Sequence, residues 1–167
     1  MICGDIIADV GSDHAYLPIW LYQNNKIKKA YALDMSKNCV NRAEANIKKY
    51  NISQDIIIPV LSDGLSCFDI DSEYDFDELT DIVIAGMGAR NITEIIEQTF
   101  SLFPCRDDLR SSAGEHSSPL QFILQPASKA DYLREFLHDN NFEIVQDIIV
   151  ECKKRRYTII NARLKLN

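Results

Sequence analysis

The sequence predicts an α/β fold in one domain over residues 1–167, a doubly wound, mostly parallel sheet of seven strands with one antiparallel strand. Three observations predict it. Five short, apolar, β-rich runs each end in an acid, a glycine or Gln-Pro. Amphipathic helical periods lie between most of them. The last two strand-like runs are separated by too few residues for a helical crossover, so they must pair antiparallel.

The first run, Ile6-Ile7-Ala8, ends at Asp9. Pro18 would break a hydrogen bond in any helix begun at Ser12 or Asp13, so the first helix is expected to start near Tyr16 or Leu17. The second run, Ala30-Tyr31-Ala32-Leu33, ends at Asp34; Ser36 is a cap for a helix carrying Val40, Ala43, Ile47 and Tyr50 on one face. Residues 56–61 form the third run, closed by Asp63-Gly64. The fourth, residues 82–85, is expected to end in a turn at Gly86-Met87-Gly88, with Asn91 capping the helix of Ile92, Ile95, Ile96 and Phe100. The fifth, residues 122–124, is closed by Gln125-Pro126, and Ser128 is the expected cap of a helix through Leu133 and Leu137. Residues 106–119 are polar and serine-rich and read as a loop. Residues 143–150 and 157–164 form the terminal hairpin.

With 46% apolar and 26% charged residues, the composition is that of a globular protein with a full core. No stretch of 18 apolar residues is present, so no membrane span is expected. The first ten residues lack a basic segment and reach Asp9 too soon for a secretory signal. The five cysteines are scattered without a CxxC pair, which predicts reduced thiols and a cytoplasmic location. His14, His116 and His138 are equally dispersed, so no metal site is expected. The net charge of −7 is segregated: residues 63–81 hold eight acids and no base, whereas residues 151–167 hold six bases against Glu151.

Ligands of open α/β sheets bind beyond the carboxyl ends of the strands, where strand order reverses. Those ends here carry Asp9 with Gly11, Asp34 with Met35, Asp63 with Gly64, and Gly86-Met87-Gly88. A single acid at a strand end is ordinarily a cap or a solvated turn. Three in succession beside glycine turns fit an adenosine ligand, with its ribose on Asp34, its adenine edge near Asp63 and its tail near Gly11. The glycine-rich helix start that holds a pyrophosphate is missing, which favours S-adenosylmethionine over NAD. Asp13, His14 and Tyr16 are expected in a loop over this pocket, though a surface histidine and a core-packed tyrosine remain open readings.

The stretches IADVGSDHAYLPI (residues 7–19), IAGMG (84–88) and ILQP (123–126), in this order, resemble the TrmK family of bacterial tRNA (adenine-22-N1)-methyltransferases. The similarity extends from Ile7 through the terminal hairpin, where Glu151 and Tyr157 fit the closing strands. The resemblance implies a Rossmann-like class I fold and an enzyme that methylates N1 of adenine in tRNA with S-adenosylmethionine. It implies that Gly11, Asp34, Asp63 and Gly86 line the cofactor pocket, and that Asp13, His14 and the 86–88 turn face the target base. The sequence departs from the family pattern at Ala89, where a glycine is usual, and at Ala127, where an asparagine is usual. The family's helix before the first strand and its C-terminal helical domain are expected to be missing.

Methyl transfer to adenine N1 needs alignment rather than a base, since N1 carries a lone pair; a carboxylate would offset the charge that develops on the ring. Asp13 is the candidate for that carboxylate, with His14 or Tyr16 holding the base. The hairpin bases Lys153, Lys154, Arg155 and Arg156, with Lys37 near the same edge, are the expected phosphate contacts. The expected partner is tRNA, with a homodimer left open. Two alternatives stand: a methyltransferase acting on another nucleic acid or a small molecule, and a non-catalytic S-adenosylmethionine-binding protein acting through a partner.

Overall fold

The computed structural model describes residues 1–2, 4–69, 72–102 and 120–165. The loop expected over residues 106–119 lies outside them. The strands are β1 (Ile6–Val10), β2 (Lys29–Asp34), β3 (Ile57–Leu61), β4 (Asp81–Gly88), β5 (Gln121–Ser128), β6 (Phe142–Cys152) and β7 (Arg155–Leu164). The helices are α1 (Tyr16–Gln23), α2 (Lys37–Lys49), α3 (Ala89–Leu102) and α4 (Ala130–Asp139). All seven strands form one sheet in the order β3-β2-β1-β4-β5-β7-β6. The first five run parallel, and β7 runs antiparallel to both neighbours, as the sequence predicts.

The apolar runs are unbroken because both faces of the sheet are covered. Alternation along the strands divides the core in two. Ile7, Ala30 and Ala32 pack with Ile19 of α1 and Ala43 and Ile47 of α2. Their neighbours Ala8, Val10, Tyr31 and Leu33 face the other way, against Ile92 and Ile96 of α3 and Leu133 and Leu137 of α4. Chain order reverses where β1 lies between β2 and β4, and that reversal opens the crevice at the carboxyl edge.

Several local expectations are corrected. Gly86, Met87 and Gly88 are not a turn: β4 continues through them, with bulges in its pairing to β5 (Met87 opposite Pro126, Gly88 opposite Ser128). α3 therefore starts at Ala89, which places Asn91 inside the helix rather than at its cap. α4 is entered through Lys129 at φ 57°, and Ser128 is the last residue of β5. Ser36 does occupy the α2 N-cap position, but its side chain makes no capping bond. α1 begins at Tyr16 and holds Pro18 in its first turn, as expected.

Between β3 and β4 the described residues form two short 3₁₀ turns, Ser66–Phe68 and Phe76–Glu78, in place of a helix. Aromatics inside the acidic stretch anchor it. The Phe68 ring meets Tyr31 edge-on at 5.1 Å and Phe76 at 5.7 Å. The terminal turn is only Lys153-Lys154, at φ 46° and 66°, so Arg155 and Arg156 belong to β7. Left-handed conformation at both central residues is the type I′ geometry that two-residue hairpins favour.

Candidate active site

β1 delivers the chain to the crevice. The Gly11 and Ser12 amides both donate to the Leu33 carbonyl, at 2.8 and 2.9 Å, and so turn the chain over the end of β2. Gly11 sits at φ +76°, and a Cβ there would lie 2.3 Å from Cε of Met87. The positive φ is what calls for glycine here, since the Met87 methyl ends a flexible side chain that can shift.

Asp34, the last residue of β2, organises the lip. Its Oδ1 accepts from the Ser36 amide at 2.9 Å and its Oδ2 from the Asp13 amide at 3.2 Å. Asp13 in turn pairs with Arg42 of α2, whose Nε donates to Oδ1 at 3.0 Å while Nη2 bonds the same oxygen. The Arg42 hydrogen bonds hold the Asp13 carboxyl below its ordinary range. His14 Nε2 lies 3.4 Å from the other Asp13 oxygen. The His14 ring stacks on Tyr16 at 5.1 Å and 10°, and its carbonyl accepts from Asn46 Nδ2 at 2.9 Å.

Beyond these groups lies a cleft of about 560 Å³, within the range of small-molecule sites. Val10, Gly11 and Asp13 form one wall, Asp34, Met35 and Cys39 the second, and Ser62, Asp63 and Gly64 the third. Ala85, Gly86 and Met87 close it from β4. Asn91, Glu94, Ile95 and Gln98 of α3 complete the lining. Four carboxylates (Asp13, Asp34, Asp63 and Glu94) line this cleft and, among the described residues, no lysine or arginine does. Gly86 adopts φ +76°, and a Cβ built there meets nothing within 4 Å, so its open side faces free space.

The structure brings together most of the residues singled out in the sequence and separates others. Gly11, Asp13, Asp34, Met35, Asp63, Gly64, Gly86 and Met87 share the cleft. Asp9 does not line it: 6% exposed, it accepts from the Ser12 hydroxyl at 2.7 Å beneath the wall. Burial pushes its carboxyl up to about 6, against the lowering effect of the Ser12 bond. Gly88 falls outside because the strand has carried it past the bulge toward Ser128. His14 and Tyr16 also lie outside the lining, and Tyr16 is exposed at the start of α1. Lys37, the first residue of α2, is exposed and does not line the cleft. The α3 contribution was missed. Its signal is a stripe at positions 91, 94, 95 and 98, one helical face beside the buried Ile92 and Ile96.

A second cavity, of about 400 Å³, adjoins the first across Gly86. Gln125, Pro126 and Ala127 of β5 face Arg155, Arg156 and Tyr157 of β7 around it. Leu124 pairs with Ile160, so the start of β7 stands beyond the pairing region, at the carboxyl edge. Gln125 braces the wall between the cavities, its Oε1 accepting from the Gly86 amide at 3.0 Å.

The chain matches the family model described as a methyltransferase domain over residues 1–160. It is 28% identical over 159 residues to the tRNA (adenine(22)-N(1))-methyltransferase of Bacillus subtilis strain 168, covering 95% of this chain and 58% of that protein. Streptococcus pneumoniae Sp1610 superposes with a TM-score of 0.78 at 33% identity, covering 98% of this chain and 67% of that one. M. capricolum TrmK, solved in complex with its natural cofactor product S-adenosyl-homocysteine, gives 0.74 at 27%, covering 96% and 62%. The chain spans 58 to 60% of the length of the curated relatives it matches. Sequence and fold are thus shared with one group of proteins. The chain belongs to the methyltransferase-domain family, and its homologues are TrmK tRNA (adenine-22-N1)-methyltransferases.

Proposed function

We propose that the protein binds S-adenosylmethionine in the acidic cleft and methylates N1 of adenine 22 in tRNA, in the cytoplasm. The observation that carries this reading is a crevice at the strand-order reversal lined by four carboxylates and, among the described residues, by no lysine or arginine. Such a lining favours a nucleoside bearing positive charge and disfavours a pyrophosphate. When bound, the cofactor supplies a methyl group activated by a positively charged sulfur.

The residues present fit this ligand. Asp34 commits one lone pair of each oxygen to a backbone amide and keeps acceptors for a ribose diol. The Asp63 carboxylate has no partner among the described residues and is available to an adenine amino group. Met35, 75% exposed at the lip, offers an apolar cover for the adenine face. Gly86 leaves the room that a Cβ would take.

Adenine N1 presents its own lone pair, so the chain needs no base before attack. Its task is to align the ring and to oppose the charge that grows on it. Asp13 is the proposed carboxylate for that task, kept ionised by Arg42 at the cleft wall. The stacked His14–Tyr16 pair, tied to α2 through Asn46, acts as a positioning element for the Asp13 loop. N1 lies on the Watson–Crick edge, so the base must be unpaired or extruded first. Lys153, Lys154, Arg155 and Arg156, with Lys37 at the neighbouring edge, are the proposed phosphate contacts.

Mass mapping of methylated adenines after incubation with unmodified tRNA tests the reading. Methylation at adenine 22 supports it; methylation elsewhere, or cofactor binding without transfer, contradicts it. Asp13→Ala should lower turnover at least tenfold while cofactor affinity changes less than threefold. An equal loss in both would assign Asp13 to the pocket wall.

A further inference from the structure

The two cavities that meet at Gly86 differ in sign. The cofactor cleft holds four carboxylates and no cation among the described residues. The second cavity is lined by two arginines and by no acidic residue. At about 400 Å³ it is more than ten times the roughly 30 Å³ share of a water molecule, and it is flanked by flat or small groups: the Pro126 ring, the Ala127 methyl and the Tyr157 ring. Tyr157, half-buried, lines the cavity and makes no ring contact with another aromatic among the described residues. Arg155 makes no ion pair among them, whereas Arg156 lies 3.4 Å from Glu151. An unpaired guanidinium beside an unstacked ring, one residue from a cationic cleft ligand, suits an aromatic base on an anionic backbone.

We propose that this cavity is the acceptor-nucleotide pocket of the methyltransferase, in which the Tyr157 ring stacks on the extruded base and Arg155 takes its backbone phosphate. The proposal rests on the reading above and adds the face from which the substrate reaches the cofactor. Entry is from the β5–β7 side, with the N1 edge of the base reaching past Gly86 into the cleft that Asp13 also lines. Gln125, which holds the Gly86 amide at 3.0 Å, fixes the backbone that the two cavities share. The hairpin carrying Lys153 and Lys154 extends from the same rim and continues the cationic track along the RNA.

The test uses the protein with S-adenosylhomocysteine and tRNA carrying 2-aminopurine at the acceptor position, whose fluorescence rises when it leaves the base stack. Unmodified tRNA serves for methylation kinetics. A base restacked on Tyr157 stays quenched, so the wild-type protein should give only a small rise. Tyr157→Ala should brighten the extruded base and lower kcat/KM for tRNA at least tenfold, Tyr157→Phe should return both to the wild-type level, and cofactor affinity should be unchanged in each. Arg155→Ala, at an exposed position where folding is not at stake, should weaken tRNA binding and lessen its salt slope by about 1. Wild-type fluorescence and kinetics in Tyr157→Ala would overturn the stacking role, as would a Tyr157→Phe variant as impaired as the alanine. An unchanged slope in Arg155→Ala would overturn the phosphate contact. A wild-type protein that binds no S-adenosylhomocysteine would instead remove the methyltransferase reading itself, and the pocket assignment with it.

Discussion

Asp9 is 6% exposed at the end of β1 and bonds the Ser12 hydroxyl, while Asp34 ends β2 at the lip of the cleft and gathers two backbone amides. In the sequence the two read alike, as an acid closing an apolar run. The difference arises because β1 runs one residue further, to Val10, which leaves Asp9 inside the packed layer. Desolvation there raises the carboxyl from 3.8 to about 6, so the folded state binds a proton that the unfolded chain releases near pH 4. Stability should therefore fall as pH rises from about 4 to about 6 and stay lowered above that. Asp9→Asn removes the buried charge and keeps a hydrogen-bonding partner for Ser12. With a shift from 3.8 to about 6, the variant should be more stable than wild type by about 3 kcal/mol at pH 8 and nearly equal to it at pH 4. Thermal melts at the two pH values decide this; a difference independent of pH would place the cost elsewhere.

The hairpin of β6 and β7 shows what patterning can and cannot deliver at the scale of an element. Two β-rich runs too close for a crossover dictate antiparallel pairing, and the pairing is observed. The turn was read too wide, because strand propensity does not register how far a ladder continues into a basic segment. Two lysines in left-handed conformation cost roughly 1–2 kcal/mol per residue relative to residues suited to that region. Replacing Lys153-Lys154 by Asn-Gly should raise the thermal midpoint by several degrees, since that pair is favoured in a type I′ turn. The same change should weaken tRNA binding and flatten its salt dependence, so stability and affinity move in opposite directions. A variant that is no more stable would contradict the turn geometry. The end of β4 was misread for a related reason. Gly-Met-Gly suggests a turn, but the Gln125 side chain holds the Gly86 amide and lets the strand pass through a bulge.

Over the whole molecule, charge is sorted along the strand direction. At the amino edge two lysines are neutralised locally, Lys28 by Asp5 at 2.5 Å and Lys29 by Glu78 at 2.7 Å. At the carboxyl edge Lys153, Lys154 and Arg155 make no ion pairs among the described residues. An acidic chain can thus approach a polyanion through one rim while the cleft beside that rim stays negative. The parallel sheet, its reversed strand and the acids at the strand ends were legible in the sequence because each follows from short-range patterning. The α3 wall of the cleft and the cavity under β7 were not. Both are made by residues distant in the chain whose meeting depends on strand order and on where the ladders stop. On the proposed function, the acidic cleft takes a sulfonium-bearing nucleoside with its sugar on Asp34. Crystals grown with S-adenosylhomocysteine test it most directly. Both ribose hydroxyls should lie within hydrogen-bond distance of the Asp34 carboxylate, with the adenine amino group at Asp63. Density for the ligand elsewhere, or a ribose turned away from Asp34, would contradict it.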